Sequence, residues 1–494
     1  MLEASEVGNK LSKQEFKDIE PQLRVDLVNA QYDLRSADFG VLVFVAGDDR
    51  IAGNEVVNRI NEWMDARFIQ THVMGPLTAE ESMRPRYWRV WRDMPAKGRI
   101  ALMAGGILRL LHENLSGDLT DEEYETAIDH LEQLQEALVA DGMLIIKVFL
   151  HTPAKKQRKR MKKAESDRDE GWRIDQRDWA MLDLLEESEH KLEKLLRRTS
   201  VAGAPWSVVE ATDSRYRDVA VARTILNAIT ARLAEGPPTG VAVSDQLFAP
   251  VDRQATVLDT VDLDRTTDKA TYDKELNALQ REVHRLSRQA RDRGLSTVLA
   301  FEGWDAAGKG GAIRRITQAL EAGDYRVIST AAPTEEERKY HYLWRFWRDL
   351  PPAGKFVIYD RTWYGRVLVE RIEGFANPAE WQRAYDEIND FEDQLVERGF
   401  YVAKFWLHIS AEEQLARFQA RENTPEKAHK ITEEDYRNRE KWDSYVQAVD
   451  QMVVRTSSSD SPWHIIPAND KLTARLEVLD HVRTGLKKAL RTLP

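Results

Sequence analysis

The chain carries one pattern twice. Trp88-Arg89-Val90-Trp91-Arg92-Asp93-Met94-Pro95 returns as Trp344-Arg345-Phe346-Trp347-Arg348-Asp349-Leu350-Pro351, 256 positions later. Gly142, Lys147 and His151 return as Gly399, Lys404 and His408, and Ala204-Pro205-Trp206 returns as Ser461-Pro462-Trp463, both 257 positions later. So constant an offset over so long a span requires two copies of one fold with few insertions. At 494 residues the chain is long enough for each copy to enclose its own core. Glu235-Gly236-Pro237-Pro238-Thr239-Gly240 opens an aperiodic stretch between them. We therefore read residues 1–235 as the first copy, 236–260 as a linker and 261–494 as the second copy.

The second copy alternates apolar strand runs with helical patterns. Strands are expected near 296–302, 325–330, 355–359, 400–407 and 463–466. Helices are expected near 311–322, 335–348, 363–373, 378–397, 411–422, 432–451 and 470–490. This alternation predicts an α/β fold whose parallel sheet is covered by helices on both faces. Tyr272, Leu276, Leu279, Val283 and Leu286 recur at steps of four and three, marking a helical packing face within the domain or between subunits.

Chemistry concentrates at Gly303-Trp304-Asp305-Ala306-Ala307-Gly308-Lys309-Gly310, between an expected strand and an expected helix. Two glycines four residues apart with a following lysine frame a phosphate-cradling loop. Backbone N–H groups and the helix N-terminus then face an anion, to which Lys309 adds a point charge. The Ser or Thr usual after the lysine is replaced by Gly310, so the hydroxyl that helps hold Mg2+ is missing; Asp305 inside the loop can supply an oxygen instead. Asp360 ends an apolar strand, where phosphate-loop enzymes keep a second metal-organising carboxylate, and Arg361 follows it.

The first copy serves as an internal control. Gly47, Ala52 and Gly53 stand where the second has Gly303, Gly308 and Lys309. Ala104-Gly105 stands where the second has Asp360-Arg361. The tryptophans, prolines and apolar strands survive in both copies while the lysine, acid and arginine do not, so the chemistry belongs to the second. His151 and His408 occupy one position in both copies, which favours a structural role. The first copy's Lys155–Lys163 run is more basic than its counterpart and suits holding a polyanion without acting on it.

Arg417 and Arg421 lie one helical turn apart, as do Arg437 and Lys441, with the polar break Asn423–Lys430 between the pairs. Two basic helices joined in this way predict a lid that excludes water over a polyanion. Arg366 and Arg371 continue the basic theme. Of the adjacent Arg314 and Arg315, at most one can face the loop. No cysteine is present, excluding disulfides, thiolate zinc and thiol nucleophiles. A formal net charge of −11 argues against nucleic acid as a partner but leaves room for a local basic site. Met1–Glu6 lacks the features of a signal peptide and no apolar run is long enough to span a bilayer, so no membrane association and a cytoplasmic location are expected.

Together the Gly303–Gly311 loop, the Asp360-Arg361-Thr362-Trp363-Tyr364-Gly365-Arg366 segment and the Trp347–Pro351 stretch resemble the type 2 polyphosphate kinases. The resemblance covers the whole chain, because a subgroup with two fused copies has its active site in the C-terminal one. It implies two tandem P-loop kinase-like domains, each a parallel sheet flanked by helices with a helical lid. It implies transfer of the terminal phosphoryl group of inorganic polyphosphate to a nucleoside monophosphate, AMP to ADP, in a homo-oligomer. Asp305 and Asp360 would organise Mg2+, and Lys309 and Arg361 would hold phosphates. Gly303, Ala306, Ala307, Gly308, Gly310, Arg315, Arg366, Arg417, Arg421 and Lys430 would complete the phosphate and nucleotide contacts. His429-Lys430 departs from the Trp-Lys of many members. Polyphosphate-dependent conversion of ADP to ATP, an ATP-dependent nucleotide kinase and a non-catalytic polyphosphate-binding protein are the alternatives.

Overall fold

The computed structural model of the chain describes residues 2–168, 171–236, 255–423 and 433–493. Each copy folds around a five-stranded parallel sheet. The first contains β1 (Val41–Gly47), β2 (Ile69–Met74), β3 (Ile100–Gly105), β4 (Leu144–His151) and β5 (Trp206–Glu210), in the order β2-β3-β1-β4-β5. The second contains β6 (Thr297–Gly303), β7 (Tyr325–Ser329), β8 (Phe356–Asp360), β9 (Tyr401–His408) and β10 (Trp463–Pro467), in the equivalent order β7-β8-β6-β9-β10. All its pairings are parallel. The central strands are buried on both faces: Val298, Leu299, Ala300 and Phe301 of β6 are all inaccessible to solvent. That is why they read as continuous apolar runs rather than as an alternation.

This strand order fixes where a site can lie. The chain leaves β6 with β8 on one side and β9 on the other, and the two connections run in opposite directions along the sheet. Such a switch point opens a crevice at the carboxyl ends of the strands. Phe301 pairs with Asp360, and Gly303 with Leu407, so the end of β8 and the exit of β6 lie side by side at that edge.

The chain divides into two compact units. One comprises Met1–Leu77, Arg89–Thr239 and Glu335–Trp344, the other Thr78–Trp88, Gly240–Thr334 and Arg345–Pro494. Each unit thus includes a short segment of the other repeat. Within the first unit, Lys97 N–H donates to Lys339 O at 3.0 Å and the rings of Trp91 and His341 lie 5.3 Å apart. Within the second, Trp88 Nε1 donates to Trp347 O at 2.9 Å. This placement explains why residues 335–348 do not form the single helix their pattern predicts. They form a turn of 3-10 helix at Glu337–Lys339, an extended Tyr340 and a short helix at Trp344–Arg348. Residues 363–373 are likewise split, into Trp363–Arg366 and Val369–Ile372, and 432–451 into Glu433–Glu440 and Trp442–Thr456.

Capping residues set the long helices. Asn377 and Glu380 exchange hydrogen bonds in a capping box before Pro378–Glu397, and Ser410 caps Ala411–Glu422. The Tyr272 stripe lies on helix Lys269–Asp292, where Tyr272, Val283 and Leu286 are buried and Leu276 and Leu279 partly so. This helix packs along Lys471–Thr492, so the stripe is a packing face inside the unit. No helix among the described residues is long and apolar enough to cross a membrane.

Candidate active site

The loop between β6 and helix Lys309–Thr317 depends on backbone conformations that side chains disfavour. Gly303 has φ +145°, and a Cβ there would lie 2.6 Å from Leu407 O, so only glycine lets the chain turn off the sheet this close to β9. Gly308, with φ +108°, begins the helix without a side-chain cap. The first N–H groups of the helix are therefore left for an outside acceptor. Ala306 also has a positive φ, +64°. A side chain at Gly310 would meet nothing within 4 Å, so packing does not force the loss of the usual hydroxyl there.

Charged groups converge around this turn. Lys309 Nζ donates to Gly303 O at 2.8 Å. Asp305 is gripped on both carboxylate oxygens, by Arg361 Nη2 at 3.1 Å and by Asn438 Nδ2 at 3.2 Å. Arg361 itself has φ +64° and a half-exposed side chain. Asp360 stands next to it at the end of β8. From the other side, Trp304 is stacked on Trp442, with ring centroids 3.7 Å apart and 9° between planes. Arg437 and Lys441 share a face as their spacing predicts, and both pair with Glu373, at 3.6 and 2.9 Å. Asn438 and Trp442 thus bring the 433–456 helices onto the loop.

Several of the other expected basic residues are engaged by protein partners. Arg417 is 5% exposed, and its guanidinium donates to Ala306 O and Ala307 O, both at 2.9 Å, and to Ala468 O and Asn469 O. It ties the loop's carbonyls to the Ala468–Asn469 segment. Burial pushes its pKa below the usual guanidinium range, offset in part by Glu413. Arg315 is turned onto Tyr272 Oη at 3.2 Å, and Arg371 lies over Trp381 and donates to Gln451 Oε1. Arg366 pairs with Glu370 at 3.2 Å. Arg421 lies in the last turn of Ala411–Glu422, and Lys430 lies outside the described residues.

The first copy closes the same turn with its own carboxylates. Asp48, directly after Gly47, takes the place of Asp305: Gln157 Nε2 donates to Asp48 O as Gln414 Nε2 donates to Asp305 O. The Asp48 side chain, however, is bound to His151 Nδ1 at 2.6 Å and to Thr152 N–H at 2.9 Å. Asp49 caps helix Arg50–Trp63, accepting from Ile51 and Ala52 N–H. An internal anion thus occupies the helix N-terminus where an external one would sit.

His408 differs from His151 in its surroundings. Trp304 Nε1 donates to His408 Nδ1 at 3.0 Å, which requires an unprotonated Nδ1, and burial lowers the His408 pKa to about 4. Burial also lowers His464 to about 4. An unfolded histidine takes up its proton near pH 6.5. Between these limits the unfolded chain binds more protons, so stability falls as pH drops from about 6.5 to about 4. His151 acts in the opposite sense: burial opposes its charging, but Asp48 and Glu6 raise its pKa. We expect His464→Phe to have a thermal midpoint that falls less than the parent's over this window, as measured by melts at matched ionic strength.

A glycine-rich turn at the switch point of a parallel sheet, with a lysine, an arginine and two carboxylates around it, defines a site of the α/β phosphotransfer class. The model of the family described as polyphosphate kinase 2 matches residues 10–237 and 266–493. A polyphosphate:AMP phosphotransferase of Pseudomonas aeruginosa is 43% identical over 492 residues, covering 99% of both chains. One from Pseudomonas syringae is 42% identical, with the same coverage. A crystal structure from Pseudomonas aeruginosa assigned as polyphosphate kinase 2 superposes with a TM-score of 0.87 at 41% identity, over 99% of each chain. The chain belongs to the polyphosphate kinase 2 family.

Proposed function

We propose that the second unit transfers the terminal phosphoryl group of inorganic polyphosphate to AMP, forming ADP, while the first copy is catalytically inert. One observation carries the site: Lys309, Asp305, Asp360 and Arg361 surround the glycine turn in one copy, and the equivalent turn of the other is capped by Asp49. The choice of donor and acceptor rests on the two full-length relatives that bear this activity in their names.

Two carboxylates fit Mg2+, which takes few protein ligands and completes its shell with phosphate oxygens and water. Asp305 and Asp360 would hold it, and when bound it neutralises charge on the reacting phosphates. Lys309 and the free amides at the start of its helix bind the donor chain. Arg361 orients the transferring group and offsets charge developing on it. An oxygen of the AMP phosphate attacks the terminal phosphorus, the P–O bond to the chain breaks, and the shortened polyphosphate leaves with the electron pair. Positioning and electrostatics provide most of the rate, because this reaction needs little covalent participation by the protein. Trp442 and Asn438 set the 433–456 helices over the loop, where they limit access of water.

Acceptor choice is tested by initial rates with polyphosphate, Mg2+ and AMP, ADP or GDP in parallel. We expect AMP to be phosphorylated with the highest kcat/KM. A higher value for ADP or GDP would overturn the acceptor assignment.

A further inference from the structure

Two buried carboxylates of the second unit take no part in the chemistry above, and neither has a carboxylate at its place in the first copy. Glu302, immediately before Gly303, is 6% exposed. Its Oε1 accepts from Thr362 N–H at 2.7 Å and from the Thr362 hydroxyl at 2.8 Å. Glu392, on helix Pro378–Glu397, is 1% exposed. Its Oε1 accepts from the Trp363 indole N–H at 3.0 Å and the Tyr364 hydroxyl at 2.7 Å. Its Oε2 takes Lys404 Nζ at 2.6 Å and the Ser461 hydroxyl at 3.2 Å. Three successive residues after Asp360-Arg361 are therefore each tied to a buried acid.

The segment so held is under backbone strain. Arg361 is one of only two non-glycine residues with positive φ among the described residues, and its N–H donates to Phe301 O at 3.0 Å. Such a conformation is disfavoured for a non-glycine residue and persists only where the surroundings over-determine it. Its result is to aim the guanidinium at Asp305.

The first copy shows what the fold needs without this task. Ala46 replaces Glu302, Gln135 replaces Glu392, and Gly105-Gly106-Ile107-Leu108 replaces Arg361-Thr362-Trp363-Tyr364. The rest of the buried cluster is retained. Lys147 donates to Gln135 Oε1 and Thr199 O as Lys404 does to Glu392 and Thr456 O, and Trp206 and Trp463 each donate to the corresponding threonine hydroxyl at 2.9 Å. With no carboxylate beside it, burial lowers the Lys147 pKa to about 7. The lysine and threonine thus belong to the common fold. The acids occur only where there is a segment for them to hold.

We propose that Glu302 and Glu392 are positioning residues for the phosphoryl transfer, clamping Thr362, Trp363 and Tyr364 so that Asp360 and Arg361 face the donor phosphates. This rests on the functional reading above. The test uses the residue types that the first copy already accommodates, Glu302→Ala and Glu392→Gln, in the full chain. Each is expected to lower kcat by roughly tenfold or more through misplacement of Arg361, with KM for AMP and polyphosphate changed by less than about threefold. Glu302→Gln keeps an acceptor oxygen for both Thr362 donors and is expected to retain kcat within about threefold. A glutamine at 392 has one acceptor oxygen for four converging donors and cannot replace the acid.

Parent kcat in folded Glu302→Ala and Glu392→Gln would overturn the proposal. So would a loss that only tracks the folded fraction seen by circular dichroism and thermal melting, or a Glu302→Gln as impaired as Glu302→Ala. The parent is assayed alongside, so absent turnover there would reject the functional reading, whereas an active parent with equally active variants would reject only the positioning role.

Discussion

Lys309→Ala is expected to lower kcat/KM for AMP phosphorylation by about 150-fold or more, on the order of 3 kcal/mol of transition-state stabilisation. Its ammonium is the one lysine charge carried by the glycine turn, and it rests on the turn's own carbonyl at Gly303 O. A phosphate arriving at the helix N-terminus would find it within the same turn. The fold should be unaffected, because Gly53 stands at this place in the first copy and its helix forms normally. Arginine should not rescue the activity: its planar fork suits bidentate partners, whereas this position calls for a compact charge. Initial rates and a thermal melt of the same preparation check both parts. Near-parent turnover in folded Lys309→Ala would contradict the site assignment.

Asp360→Asn is expected to cause a loss of similar size, about 100-fold, together with a higher Mg2+ concentration for half-maximal rate. Asparagine keeps the shape but loses the charge, and with Asp305 it leaves only one carboxylate for the ion. The end of β8 tolerates the change structurally, since Ala104 ends the matching register in the first sheet. A Mg2+ titration of the variant against the parent separates weakened ion binding from a general loss of activity. An unchanged half-maximal concentration would remove Asp360 from the metal site.

The sheet was legible because its central strands are buried on both faces and bounded by glycines. All five expected strands of the second copy lie within one residue of the observed ones, and helices 378–397 and 411–422 match their observed bounds. The glycine turn was legible for a related reason: Gly303 and Gly308 hold conformations that other residues resist. The helix expected at 335–348 is broken within Glu335–Trp344, the part that belongs to the other repeat's unit, a placement that local periodicity cannot show.

Arg417 shows the limit for side chains. One helical turn from Arg421, it reads as part of a basic face, yet it is buried beneath four carbonyls. Spacing places residues on a face but does not say what that face meets. An acid in an apolar strand or a charged helix, as Glu302 and Glu392 are, carries no signal by itself. The signal was present in the comparison of copies, as Glu302 against Ala46 and Glu392 against Gln135. Asp48 stands in the place of Asp305 yet follows Gly47 directly, with no residue in the position of Trp304, which stacks on Trp442.

The central claim is tested most directly by ADP formation from AMP and Mg2+, with polyphosphate or ATP as donor in parallel and Lys309→Ala beside the parent. The account predicts ADP from polyphosphate in the parent and its loss in the variant. ADP formed with ATP alone, or polyphosphate-dependent turnover that survives Lys309→Ala, would contradict it.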